Sequence, residues 1–282
     1  MSIKYMALNP EQIELFYQNN QKIEFLPRDY RLRPNDYCIY TDNYNLDEAT
    51  VIAITDYNRN VIGQYDVCIK SNFGKNIRAR NPEQACAIDL LKKQTVPVKF
   101  ITGRAGSGKD YLISSYAAEK LRRGDVQQIV FIRNNIQLSD TKDIGALPGD
   151  LNEKTDWMSA PLRQAIGDDE YQIRMSNGQI VNEFLGHIRG RSYSDSIVIV
   201  TEAQNLTQYH IGLIMSRIGE RSELIINGDF VAQRDSDVFR GGLEKAIEIL
   251  ENSPESQKYV GNVELRKCER GKVASLAGLL GA

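Results

Sequence analysis

The residues with most to say about chemistry lie in one glycine-rich stretch: Gly103, Arg104, Ala105, Gly106, Ser107, Gly108 and Lys109. They fill the first seven positions of the phosphate-loop pattern G-x-x-x-x-G-K-[ST]. Glycines let the backbone curl until successive N–H groups face an anion. The positive end of the following helix stands behind them, and the lysine reaches the β- and γ-phosphates. An apolar run over 96–102 leads in and a helix-forming run leads out, which is the context this mechanism requires. The eighth position, where a Ser or Thr hydroxyl would ligate Mg2+, is Asp110. A carboxylate beside phosphates repels them unless a cation lies between.

A nucleotide hydrolase also needs an acid at the end of a neighbouring apolar strand. Ile197–Val200 runs into Thr201 and Glu202, and Glu202 stands where a general base could orient water on a γ-phosphate. Thr201 holds the place usually taken by an Asp near the metal. A third apolar run, Leu224–Ile226, ends in Asn227, Gly228 and Asp229, which brings a second acid to the carboxyl edge where open α/β sheets bind ligands. Taken singly, Glu202 or Asp229 is as well explained as a helix cap or a solvated acid. Their position on adjacent strands opposite a phosphate loop is what makes them site candidates.

These residues need a scaffold, and the chain patterns for one. Asn9 and Pro10 predict a helix start, closed by Asn19 and Asn20. Tyr37–Tyr40, Thr50–Thr55 and Asn60–Val67 read as short strands, with a turn at 56–60 and a linker at 71–75. Beyond Arg80, strands at 96–102, Gln128–Arg133, Ile197–Val200, Glu223–Asn227 and Val260–Leu265 alternate with helices. That alternation predicts an α/β parallel sheet. Ser176-Asn177-Gly178 reads as a hairpin turn inside an insert over Tyr171–Phe184. The expected division is a small helix-plus-β module over 1–78 and a nucleotide-binding domain over 79–282.

Several motifs occur in a familiar order: Arg80–Gln84, the loop Gly103–Lys109, Leu147–Leu151 with Glu153 and Lys154, Arg189-Gly190-Arg191, Glu202–Asn205, Arg217-Ile218-Gly219 and Gly228-Asp229. Over about 80–282 the chain resembles the PhoH-like ATPase family. Leu32–Tyr37 is similar to the β-rich stretch of longer members that carry a PIN nuclease domain, which this sequence lacks. The resemblance implies a RecA-like P-loop core related to helicases, binding and Mg2+-dependent hydrolysis of ATP, and a link to single-stranded RNA. It also implies homo-oligomers, often rings, and leaves room for a separately encoded nuclease partner. Carried over, Gln84 reads adenine, Asp110, Thr201 and Asp229 surround the metal, and Arg217 and Arg270 sense phosphate in cis or across an interface. The family's G-D-x-x-Q begins at Gly228, but Ala232 stands where its glutamine belongs and Gln233 follows one step late. The family has a hydroxyl where Asp110 stands and a carboxylate where Thr201 stands. If the two side chains face one metal, the exchange keeps the same pair of ligands.

Composition narrows the alternatives. Of 282 residues, 41% are hydrophobic and 26% charged, with a net charge of −2; this is an ordinary globular chain, not a general nucleic-acid coat. No transmembrane stretch and no apolar leader is visible, so the expected location is cytoplasmic. Four cysteines without a C-x-x-C pair and two histidines leave no zinc motif, and buried free thiols are expected. Arg28, Arg31, Arg33, Lys75, Arg78, Arg80, Arg189 and Arg191, with Tyr30 and Tyr37 as stacking faces, could track a phosphate backbone. The competing reading is a solvated mixed-charge surface, because Asp29 and Asp36 interleave. Two rivals to an ATPase stay open: a nucleotide-binding scaffold without hydrolysis, and an RNA-binding module with a vestigial ATP site.

Overall fold

The computed structural model describes residues 3–46, 48–63, 68–70, 76–134, 155–230 and 239–269. The chain opens with a strand, β1 (Ile3–Ala7), and then helix α1 (Pro10–Gln18). Asn9 caps α1: its side chain accepts from the Gln12 amide, and the Gln12 side chain accepts from the Asn9 amide. β1 pairs in parallel with β2 (Tyr37–Thr41), which pairs antiparallel with β3 (Val51–Asp56). Sequence pattern alone missed β1, because only Ile3 of its five residues is fully buried and no period-2 alternation results.

The turn at 56–60 forms as expected, with the Asp56 amide donating to the Asn60 carbonyl at 3.0 Å. Of the strand expected over 60–67, the described residues show a bridge between Val61 and Thr55; 64–67 lie outside the described residues. β4 (Cys68–Lys70) and β5 (Asn76–Arg78) make a two-stranded antiparallel ribbon.

The second part alternates as predicted: α2 (Pro82–Lys92), β6 (Val98–Gly103), α3 (Lys109–Arg123) and β7 (Gln128–Arg133). Then come α4 (Ala160–Ile166), α5 (Asp168–Ser176), β8 (Ile180–Phe184) and β9 (Ser196–Val200), followed by α6 (Gln208–Met215), β10 (Glu223–Gly228), α7 (Gly242–Asn252) and β11 (Val260–Leu265). Six strands form one sheet in the order β11-β6-β10-β9-β7-β8. Every pairing in it is parallel.

Alternate strand residues divide between two cores. Ile101, Phe131, Ile199 and Ile225 pack with α2, α3, α4 and α5 on one face. Phe100, Val130, Val200 and Ile226 pack with α6 and α7 on the other. Burial on both faces explains why these strands read as unbroken apolar runs. The fold is a RecA-like P-loop α/β core, as expected.

The insert over Tyr171–Phe184 is not a hairpin. Asp168, Asp169 and Glu170 load the first turn of α5 with acids, where the helix dipole favours them, and Arg174 closes an ion pair with Glu170. Gly178 then takes φ +70° to end the helix, and β8 joins β7 in parallel.

The N-terminal strands share the main core. Ile39, Ile54 and Ile69 pack into the same cluster as α2 and α3, while Phe16, Leu26, Cys38 and Tyr40 form a small cluster behind. Tyr37 is wholly buried, its hydroxyl donating to Asp89 at 2.8 Å. It offers no stacking face. Periodicity could not show this, because β2 has no outward-facing alternation: all five of its residues are buried. Arg33 is not a free cation either, being ion-paired with Asp36 and Glu251. All four cysteines are free; Cys38 and Cys86 are buried, and Cys68 and Cys268 are only half-buried.

Candidate functional site

The phosphate-loop strand β6 lies between β10 and β11, and β9 lies beside β10. Register aligns their ends, with Gly228 opposite Thr102 and Val200 opposite Ile226. The loop, Thr201, Glu202 and Asp229 therefore meet at one edge of the sheet.

Loop shape follows from its glycines. A Cβ on Gly103, at φ +145°, would stand 2.2 Å from the Leu265 carbonyl oxygen. Gly108, at φ +92°, would drive one to 2.9 Å from the Gln84 amide nitrogen. Any other residue at these places must push the loop off β11 or off Gln84. α3 starts immediately after Gly108 with no side-chain cap on its first amides, the arrangement that favours an anion.

Gln84 is buried and braces the loop: its Nε2 donates to the Ser107 carbonyl at 2.9 Å and its Oε1 accepts the Arg80 amide at 2.9 Å. An amide so placed keeps one N–H and one lone pair for a ligand. A cavity of about 480 Å3 opens between Gln84, Tyr111 and Gln164, beside the loop. Lys109 Nζ rests 3.4 Å from the Arg104 carbonyl oxygen, inside its own loop.

Asp110 does not turn to Lys109. Its carboxylate accepts from Nδ2 of Asn227, the penultimate residue of β10 and two before Asp229. That bond fixes the Asn227 amide and leaves its Oδ1 buried without a partner. Thr201 Oγ1, Thr102 Oγ1 and Ser107 Oγ are likewise buried and unpartnered. Buried polar atoms normally find partners. Four orphaned oxygens gathered around one loop mark a place where something else completes the bonding.

Glu202 stands in the left-handed region at φ +53° and is exposed, held by Gln204 Nε2 at 2.6 Å. Gln204 Oε1 accepts the Asp229 amide at 3.2 Å. One glutamine thus ties together the two acids singled out in the sequence. Asp229 itself is buried.

Arg217 is not brought to this edge. Its neighbour Ile218 bridges Tyr193, three residues before β9 begins, so Arg217 stands at the opposite end of the sheet. Its Nε is buried without a hydrogen-bond partner there. Arg270, Ala232, Gln233, Lys75, Leu147–Leu151, Glu153 and Lys154 lie outside the described residues.

The sequence reading gave no role to Asn227, Gln204, Asn81 or Glu269. Glu269 donates its amide to the Gly106 carbonyl at 3.0 Å and accepts from Asn81 Nδ2 at 2.6 Å. Asn227 and Gln204 sit within two residues of acids already singled out. That adjacency was the available signal for them. Nothing in the pattern joins Asn81 to Glu269 across the chain.

A match to the family of PhoH-like proteins extends over residues 76–276, most of the chain and all of the sheet just described. The chain belongs to the PhoH-like family. Protein PhoH2 of Bacillus subtilis (strain 168) is 30% identical, over 97% of this chain and 62% of its own length. A PhoH-like protein of the same organism is 34% identical over 64% of this chain and 57% of its own. Protein PhoH2 of Mycolicibacterium smegmatis is 32% identical over 71% and 46% respectively. The chain spans about half to three-fifths of the length of these curated relatives. Among solved structures, an arterivirus nonstructural protein 10 helicase in complex with DNA is similar with a TM-score of 0.36 and 12% identity, over 89% of this chain and 53% of that one. That likeness is too slight to bear on function. Among the described residues of this PhoH-like chain, no helix is long and apolar enough to cross a membrane.

Proposed function

We propose that this PhoH-like chain binds ATP at Gly103–Lys109 and hydrolyses it with Mg2+, in work on single-stranded RNA. One observation carries the reading: the loop, two acids joined through Gln204, and four unpartnered buried oxygens share a single sheet edge. Lys109 leaves the Arg104 carbonyl for the β- and γ-phosphates, and the first amides of α3 take their negative charge. Glu202 orients the attacking water, with Gln204 fixing its carboxylate. The nucleoside lies in the cavity beside Gln84 and Tyr111, where the free half of the Gln84 amide faces adenine.

The residues present fit Mg2+, a hard cation that takes oxygen ligands and few carboxylates. Asp110 and Thr201 would hold it, with Asp229 and the Asn227 oxygen close by. It would supply charge neutralisation between the β- and γ-phosphates. Exposed Arg28, Arg31, Arg80 and Arg189 support contact with a phosphate backbone. Arg217, being remote from its own loop, is assigned to a neighbouring subunit's nucleotide in a homo-oligomer.

Phosphate release from the purified chain tests this. Turnover should require Mg2+, rise with added RNA, and fall about 100-fold or more in Glu202→Gln while ATP binding persists. Binding without turnover in the unaltered chain would instead establish a nucleotide-gated scaffold.

A further inference from the structure

A second cavity, of about 480 Å3, lies in the N-terminal part of the chain and takes no part in the site above. Three segments wall it: the loop before β2, the strands β2 and β3, and the turn after β3.

Two aromatic rings stand out in water at its mouth. Tyr30 is 89% exposed and Tyr57 is 43% exposed. Two cations accompany them. Arg28 is exposed and makes no ion pair among the described residues. Arg59 is held rigidly in the wall, its guanidinium donating to the carbonyls of Ile23 and Leu26. The one acid in the lining, Asp29, is already engaged by the backbone amide and Nε of Arg31 at 2.9 and 3.2 Å, so it does not repel an anion as a bare carboxylate would. Deeper in the wall is Thr55, which is only 1% exposed and whose Oγ1 has no hydrogen-bond partner. It lies near Tyr40, whose hydroxyl donates to the Pro27 carbonyl at 3.1 Å.

An inorganic phosphate would use the arginines and leave the rings idle. A phosphorylated peptide would do the same and gain little from the buried hydroxyl. An unpaired nucleotide uses all three features. Its base stacks on an aromatic face, its phosphate meets a cation, and a base edge satisfies the hydroxyl. We propose that this cavity holds one unpaired nucleotide of a single-stranded nucleic acid, with Tyr30 and Tyr57 stacking on the base, Arg28 on its phosphate and Thr55 on a base edge. The site is separate from the phosphate loop and needs no bound ATP.

The test is fluorescence anisotropy of a fluorescein-labelled single-stranded heptanucleotide titrated with the full chain, without ATP, at several salt concentrations. Tyr30→Ala removes an exposed ring and leaves the fold intact, which a thermal melt verifies. It should weaken binding about 10-fold or more. Arg28→Ala should weaken it less and make the salt dependence shallower by about one unit of slope. Thr55→Val should change the preference among homopolymers of different base. Equal binding by the unaltered chain and Tyr30→Ala would overturn the assignment. So would failure of the unaltered chain to bind the oligomer, displacement of the oligomer by inorganic phosphate at equal concentration, or tighter binding of a phosphopeptide of the same charge. ATP hydrolysis is not read in this assay, so its outcome is independent of the phosphate-loop reading. The proposal rests on the single-stranded RNA reading above, which failure of the unaltered chain to bind would overturn with it. Equal binding by Tyr30→Ala would overturn this site alone.

Discussion

At the scale of single residues, Asp110 is the place where this chain departs from the loop pattern. A carboxylate at the eighth position is tolerable only if its charge is managed. The structure manages it through Asn227, whose amide donates to it from the end of β10. A hydrogen bond to a charged group contributes roughly 1.5–3 kcal/mol. The two residues should therefore behave as a unit toward MgATP. Asp110→Ala and Asn227→Ala should each reduce the thermal stabilisation conferred by MgATP, and the double variant should lose less than the sum, with a coupling of about 1–2 kcal/mol. Strict additivity would mean that Asn227 does not govern the carboxylate. The exchange read from sequence, a carboxylate at Asp110 and a hydroxyl at Thr201, thus involves a third participant. Asn227 was visible as a letter but not as a partner, because the contact joins positions 117 residues apart.

The elements were legible where one physical rule dominates. β7 and β11 match their expected bounds because both lie in a sheet buried on two faces, and α1 matches because Asn9 and Pro10 mark its start. Rules failed where a local signal had two readings. Ser176-Asn177-Gly178 suits a hairpin turn or a helix end, and only the acids and Arg174 of α5 decide between them. Tyr37, expected as a stacking face, is drawn inward by Asp89 on α2. Burial also sets a pH response in this part of the chain. Asp36, beside β2, is buried, and burial raises its carboxyl from 3.8 to about 6 despite the Arg33 amide it accepts. As pH rises from about 4 to about 6, the unfolded chain releases this proton before the folded chain does. Stability should therefore fall by about 2–3 kcal/mol across that window and level off above it. Asp36→Asn should flatten the profile measured by urea unfolding at pH 4, 5, 6 and 7. An unchanged slope would show that another group sets it.

Over the whole molecule, the sheet separates Arg217, expected to sense phosphate in cis or across an interface, from the other site residues. Glu202, Asp229 and the loop share the carboxyl edge, while Arg217 lies at the far end beside Tyr193. A role for Arg217 on phosphate then requires a second subunit. In dilute samples shown by light scattering to be monomeric, Arg217→Ala should bind MgATP within about twofold of the unaltered chain. Its effect on turnover should emerge only as the chain associates. A large loss of binding in the monomer would mean that the residue reaches its own loop.

The central claim is that the loop from Gly103 to Lys109 is a nucleotide phosphate site. Calorimetric titration of MgATP into the full chain and into Lys109→Ala tests it most directly. The account predicts one site per chain in the unaltered protein and an affinity lowered about 100-fold or more in the variant, since a fully engaged cation–phosphate contact is lost. Equal affinity in the two proteins would contradict it.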